Sequence, residues 1–346
     1  MRMAAQRRGA QSVVFSPAPA ILSAAAVAGK KESHGPLREY FDVTGEDTKF
    51  GQKSWEKAES RMQELALKAA LEKSSLGDED IDMIFAGDLL NQCISTSFSM
   101  RGTNIPLFGL YGACSTMAES LSLAAMAVSG GFADRAAAMT SSHFASAERQ
   151  YRFPLVYGGQ RTPTAQWTVT GAGCAILARE GAGPFVTAAT AGRIVDWGIR
   201  DANNMGAAMA PAAMDTIARH LRDLGRRPED YDLIVTGDLG AIGKRIVLDL
   251  FRRDGVELGS VYDDCGVMIF DAERQDVHAG GSGCGCSAAV LCGCLLRRMQ
   301  EGRYRRILFC GTGALLSPTS TQQGESIPSI CHAVSIETER SPQWNT

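Results

Sequence analysis

The chain has 346 residues, 45% hydrophobic and 21% charged, which is ample for a large buried core in one large domain or two intimately packed ones. A formal charge of -3 excludes a global attraction for nucleic acid or acidic lipid, so any anion site has to be local. Ten cysteines in a chain of this length, several beside an apolar run, do not read as a small secreted disulfide scaffold; reduced thiols in a cytosol-like compartment are expected.

The first apolar run, residues 18–29, follows a basic start and mimics a signal peptide, but Pro19 and Ser23 interrupt it and it is too short to span a bilayer. No later stretch reaches the roughly 20 apolar residues of a membrane helix, so membrane contact has to be peripheral. Ala58, Met62, Leu65, Ala66 and Ala69 then form one stripe at helical spacing. The next segment, DEDIDMIFAGDL at residues 78–89, returns as PEDYDLIVTGDL at residues 228–239, with seven of twelve positions identical. Each copy carries a short β-rich run (residues 81–85 and 231–235) ending in Gly-Asp, which reads as a buried parallel strand delivering a loop at its carboxyl end. The second copy has its own preceding helix, marked by Met214, Ile217, Ala218, Leu221 and Leu224 with Pro211 near its start.

Residues 107–142 read as strand, turn, helix and strand, and residues 278–313 repeat that order, with Gly131 and Arg135 matching Gly302 and Arg306. The spacing implies about 21 extra residues in the second half, including 256–270. Two such copies imply a duplicated α/β architecture, residues 1–190 and 191–346, with mixed and parallel sheets in α-β-α layers. The halves are expected to pack about a pseudo-twofold, with loops converging on a shared crevice at the strand carboxyl ends.

The turn Tyr111-Gly112-Ala113-Cys114-Ser115-Thr116 leads into a helix. Glycine permits the bend, Ser115 or Thr116 can cap the helix, and Cys114 projects over a helix N-terminus that favours a thiolate or a bound anion. A nucleophilic cysteine and a small residue tolerated on a tight turn both fit this pattern. Cys284-x-Cys286 and Cys292-x-Cys294 look like paired metal ligands, but Cys292 and Cys294 stand opposite Leu121 and Leu123 in the repeat, so they read as packing residues and no metal is expected.

The runs AGDLLNQ (86–92), GACSTMAES (112–120), TSSHFASAERQYRFP (140–154), YGGQRTPTAQWTVTGAG (157–173), MGAAMAPAA (205–213), AGGSGCGCSA (279–288) and GALLSPTSTQQGESIP (313–328) carry a resemblance over almost the whole chain. The chain resembles the thiolase-like superfamily, which places an acyl-accepting cysteine at the matching elbow, and within it the stage V sporulation protein AD family of spore-forming bacteria. The resemblance implies binding of dipicolinic acid (pyridine-2,6-dicarboxylic acid), alone or as its calcium chelate, and support of its movement into the forespore and out at germination. It further implies a location peripheral to the inner spore membrane, other stage V sporulation A-group membrane proteins as partners, no nucleic acid, no cofactor beyond calcium accompanying the ligand, and a homodimer paired through its sheets.

Condensing enzymes of the superfamily add bases to the elbow cysteine from second-half loops. Here those positions read Val235-Thr236-Gly237-Asp238 and Gly280-Gly281-Ser282-Gly283-Cys284-Gly285-Cys286, without histidine or asparagine. A cysteine without a base or cation is mostly thiol at neutral pH, so no catalytic residue is expected. His143 stands at the expected crevice, whereas His278 and His332 read as structural. The expected ligand-binding residues are Cys114, Ser115, His143, Arg149, Arg161, Asp238, Ser282, Gly283 and Cys284: glycine-loop N–H groups, a helix N-terminus and arginines that grip carboxylates. Arg152 offers a further cation, and Tyr151, Phe153 and Tyr157 offer rings to stack on the ligand, while Asp88 and Asp238 read as loop caps. The rival readings are an acyl-thioester condensing or acyl-transfer enzyme using Cys114, and a membrane-assembly scaffold with a vestigial pocket.

Overall fold

The apolar run that mimics a leader is a buried strand, β1 (Ala20–Ala28), at the centre of a computed structural model that describes residues 6–151 and 161–340. Arg152, Phe153 and Tyr157 lie outside the described residues. Alternating small side chains let β1 pack on both faces, and Ala25, Ala26, Val27 and Ala28 are fully buried.

The first half continues with α1 (Trp55–Ser74), β2 (Met83–Gly87), α2 (Ile94–Met100), β3 (Leu107–Leu110), α3 (Thr116–Gly130), β4 (Arg135–Ser142), α4 (Phe144–Tyr151) and β5 (Gly171–Ala178). The second half comprises β6 (Phe185–Thr190), α5 (Met205–Leu224), β7 (Leu233–Thr236), α6 (Gly240–Arg253), β8 (Tyr262–Asp264), then α7, which starts as Cys284–Ala289 and runs on to residue 300, β9 (Arg306–Ala314) and β10 (Ser329–Glu337).

Strand order states the duplication directly: β1-β5-β4-β2-β3 in the first half and β6-β10-β9-β7-β8 in the second. In each half the first two pairings are antiparallel and the last two parallel, and the halves meet at the antiparallel pair Phe185↔Ala20. Helices α3 and α7 are sandwiched between the sheets, whereas α1 and α5 cover the outer faces. The sandwiched helices are made of small and apolar residues all round, as burial on every side demands: Met117, Ala118, Leu121, Ala124 and Ala125 in α3, and Cys286, Ala288, Leu291, Cys292 and Cys294 in α7. All ten cysteines are free thiols, and Cys286, Cys292 and Cys294 of α7 fill the inter-sheet core as small hydrophobes.

The structure corrects one part of the repeat. The counterpart of the edge strand β3 is β8, inside the segment expected to be extra, and residues 278–283 are not a strand equivalent to 107–112. Strand β8 reads Tyr-Asp-Asp and gives no apolar signal, because Asp264 spends its carboxylate on the backbone N–H groups of Leu239, Gly240 and Val267. The chain after β8 instead loops back so that Gly281–Ser282 pairs in parallel with Trp167–Thr168 of the first half. This small ladder carries the glycine-rich loop to the first half's elbow. Among the described residues, no helix is long and apolar enough to cross a membrane.

Candidate functional site

The elbow is a single 3-10 turn, Ala113–Ser115, between β3 and α3. Ala113 takes φ 51°, the left-handed region that an L-residue enters at a cost, and this aims Cys114 away from α3 and into the interior. The turn is locked from inside: Ser115 Oγ donates to the Gly112 carbonyl at 2.6 Å and Thr116 Oγ1 to the Ala113 carbonyl at 2.7 Å. Neither hydroxyl caps α3, contrary to expectation, and Ser115 has spent its donor on the turn. The second half seats the elbow through β9, where a Cβ on Gly311 would lie 2.7 Å from the Ala118 Cβ and 2.9 Å from the Ser115 carbonyl oxygen.

Asp238, at the carboxyl end of β7, organises the facing loop. It accepts from Thr312 Oγ1 at 2.7 Å, from the Gly283 N–H at 2.8 Å and from Ser282 Oγ at 3.3 Å. The charge of this buried carboxylate also bears on the Cys114 thiol. Gly283 sits at φ 97° with its N–H turned to Asp238, and a Cβ there would meet Ser142 Oγ at 2.7 Å. The glycine-loop N–H expected to cradle a ligand is therefore held by Asp238, which acts as the loop cap. Asp88 plays the same part in the first half, accepting from the N–H groups of Leu90 and Thr96 at 2.9 and 2.8 Å.

This arrangement keeps sulfur protonated. Burial is the first cause that pushes the Cys114 thiol well above its ordinary value, and the charge of Asp238 is the second. Each unit between the two groups' pKa values is worth about 1.4 kcal/mol against moving the proton from thiol to carboxylate.

A cavity of roughly 60 Å³ opens beside Cys114, walled by Leu89, Ala113, Ala147, Met205, Ala314 and Leu316. Its polar rim comes from Glu148, Tyr151, Thr168 and Ser282. Both halves contribute, as the convergence of their loops predicts. The volume is below the ~150 Å³ that encloses a benzene ring, so an aromatic ligand has to displace a side chain or enter from an open side. Tyr151 Oη donates to the Leu89 carbonyl at 2.6 Å and lies 2.9 Å from Tyr111 Oη, which fixes one wall.

Of the expected ligand contacts, Cys114 and Ser282 line the cavity, and Asp238, Gly283 and Ser115 support it from behind. Cys284 packs against Cys114, but its Sγ donates to the Ser141 carbonyl at 2.9 Å and its thiol is likewise raised by burial. Three expectations fail for the cavity. His143 is buried elsewhere: its Nδ1 accepts from the Ala145 N–H at 3.1 Å, which leaves Nε2 to donate to the Thr48 carbonyl at 2.7 Å. Arg149 pairs with Glu56 over the Trp55 ring. Arg161 pairs with Asp276 at 3.0 Å over the Trp167 ring. Sequence reasoning placed His143 at a strand end without seeing that the ring turns to the Thr48 carbonyl, and it missed Glu148. The signal for Glu148 was available, since Ala147, Glu148 and Tyr151 share one face of α4.

The other imidazoles are also turned away. His278 Nε2 lies 3.3 Å from Asp276, His332 Nδ1 accepts from the Gly192 N–H at 3.2 Å, and His220 bridges Thr190 and Tyr231 at 2.7 and 2.6 Å. Among the described residues, no group of three His, Cys, Asp or Glu side chains is placed to hold a metal ion.

Residues 9–337 match the family profile of stage V sporulation protein AD. Stage V sporulation protein AD of Bacillus subtilis (strain 168) is 47% identical over 329 residues, covering 95% of this chain and 97% of that protein. Among solved structures, 3-oxoacyl-[acyl-carrier-protein] synthase III from Aquifex aeolicus VF5 superposes with a TM-score of 0.57 at 15% identity, covering 92% of this chain and 99% of the other. The 3-oxoacyl-(acyl carrier protein) synthase III of Pseudomonas aeruginosa PAO1 gives 0.54 at 14% identity, covering 95% and 100%. These two likenesses establish a thiolase-like fold.

Proposed function

This chain belongs to the stage V sporulation protein AD family, and from that premise we propose that it binds dipicolinic acid, alone or as the calcium chelate, without transforming it. The observation that carries the non-catalytic part is the surroundings of Cys114. Its thiol is buried and feels the charge of a buried carboxylate, Asp238, where nucleophilic catalysis needs a base or cation, and His143, His220, His278 and His332 are all bonded elsewhere. A thiolate formed there would face a like charge. The binding part is supported by an apolar-walled cavity with four polar groups on its rim, built from both halves.

Calcium brought with the ligand would offset the ligand's own two carboxylates as it enters the apolar-walled cavity. Uptake into the forespore and release at germination would then proceed by handing the chelate to membrane partners from a peripheral position. Pairing of two copies is supported by β3, an edge strand whose Leu107 and Phe108 are exposed beside exposed Phe98 and Tyr111.

The acyl-transfer reading rests on the fold and the elbow cysteine. Incubation with acyl-coenzyme A followed by intact-mass measurement separates the two: the binding account expects no stable adduct on Cys114. Calorimetry with dipicolinic acid, with and without calcium, tests binding itself and separates it from a scaffold with a vestigial pocket.

A further inference from the structure

The two-residue strand Trp167–Thr168 serves two spaces. Thr168 lines the Cys114 cavity, whereas Trp167 lines a groove of about 190 Å³ with Lys30, Lys31, Thr48 and Phe144. Phe144 stacks on the Trp167 ring at 3.7 Å and 10°. Two cations crowd that same ring: Lys31 Nζ is 3.5 Å from its centroid and the Arg161 guanidinium 4.8 Å.

Their neutralisation is incomplete. Arg161 Nη2 donates to both the carbonyl and Oδ1 of Asp276 at 3.0 Å, and His278 Nε2 lies 3.3 Å from that same Oδ1. Lys31 Nζ donates to the Asp276 carbonyl at 2.8 Å and makes no ion pair among the described residues, with Glu32 and Asp276 acting on it through their charge. Arg161 Nη1 is buried and has no hydrogen-bond partner among the described residues. An adjoining groove shares Lys30, Lys31 and Thr48 and adds Arg274, whose nearest carboxylate contact, to Asp271, is 3.7 Å. A chain of net charge -3 thus gathers Lys30, Lys31, Arg161 and Arg274 here against Glu32, which also lines the groove, Asp271 and Asp276, a local surplus of cations.

We propose that Lys31 and Arg161, above Trp167, form a second anion site that takes a small dicarboxylate in its free, uncomplexed form. One carboxylate bridges Lys31 Nζ and the Arg161 guanidinium, and the other faces Lys30 and Arg274. This rests on the reading that the chain's ligand is a dicarboxylate, and it adds a second place for the free dianion.

The test is a titration of the whole chain with calcium-free dipicolinate, followed by Trp fluorescence and by stopped-flow at low ionic strength, with Trp167→Phe identifying the signal from the groove. The expected result is quenching that Lys31→Gln/Arg161→Gln abolishes, with association slowed about tenfold, while Arg161→Lys retains part of both. The cavity-filling Cys114→Phe should leave this signal intact. Quenching and rates unchanged in the double variant, with binding still lost in Cys114→Phe, would overturn the second site and spare the receptor reading. No dipicolinate binding to the unsubstituted chain, with or without calcium, would overturn both. Displacement of dipicolinate from the groove by inorganic phosphate at equal concentration would overturn the dicarboxylate assignment.

Discussion

Replacing Asp238 by alanine removes the acceptor that joins both halves at the elbow. The buried carboxylate takes donors from Thr312 Oγ1, the Gly283 N–H and Ser282 Oγ at 2.7, 2.8 and 3.3 Å. Two of these donors, the Thr312 hydroxyl and the Gly283 N–H, make short bonds and would lose their acceptor, although Thr312 Oγ1 still accepts from the residue 238 N–H. Each such orphan costs about 1–3 kcal/mol, giving a loss of about 4 kcal/mol. Relief of the carboxylate's own desolvation, which raises its pKa, reduces that loss, so about 3 kcal/mol is the working figure. A chain of this length has an unfolding entropy of about 0.7 kcal/mol/K, so the thermal midpoint should fall by about 4 °C. Calorimetry at fixed pH reads this directly, with hydrogen exchange of the Gly283 region as the local probe. A midpoint within 1 °C of the parent, with the loop still protected, would refute the claim that Asp238 holds the glycine-rich loop to the elbow.

Asp238→Asn keeps the size and removes the charge beside Cys114. Alkylation of Cys114 by iodoacetamide at pH 8 should accelerate severalfold, read by peptide mass mapping, because one of the two main causes that raise the thiol is gone. His143→Ala should leave dipicolinate affinity within about twofold, because the ring bonds to Thr48 outside the cavity, and calorimetric titration checks this. Gly283→Ala should lose at least about 2 kcal/mol, since the side chain adds both strain at φ 97° and a 2.7 Å contact with Ser142 Oγ; chemical denaturation measures it. Stability should also fall from pH 6.5 to 8. Burial raises Glu59 to about 8, Glu32 to about 7 and Asp264 to about 7, so in this window the folded chain holds protons that the unfolded chain has released. Below pH 6.5 the lowered pKa values of the buried His143, His220 and His332 oppose this slope, because the unfolded imidazoles bind protons first, while the carboxyls stay protonated in the fold. Thermal midpoints should therefore change little from pH 5 to 6.5 and fall from 6.5 to 8, and Glu59→Gln should flatten the alkaline side.

The duplicated sheets were legible because buried parallel strands advertise themselves: residues 81–85 and 231–235 share an apolar run and a terminal Gly-Asp. The elbow was legible from Gly112 to Thr116 for the same reason, a strand ending, a bend and a helix beginning within a few residues. Strand β8 escaped because its aspartates serve as caps and leave no hydrophobic alternation to read. The direction of a side chain is also invisible to periodicity. His143 and Arg161 sit in runs beside the site, yet their bonds to Thr48 and Asp276 turn them toward the Trp167 side of the ladder. Glu148 was overlooked because a buried acid on a short helix looks like any surface charge until α4 is docked.

Calorimetric titration with dipicolinic acid plus calcium, run on the unsubstituted chain and on Cys114→Phe, bears most directly on the proposed role of the Cys114 cavity. Saturable heat from the first and its loss from the second is the predicted outcome. Silence from the unsubstituted chain, or equal heat from both, would contradict it.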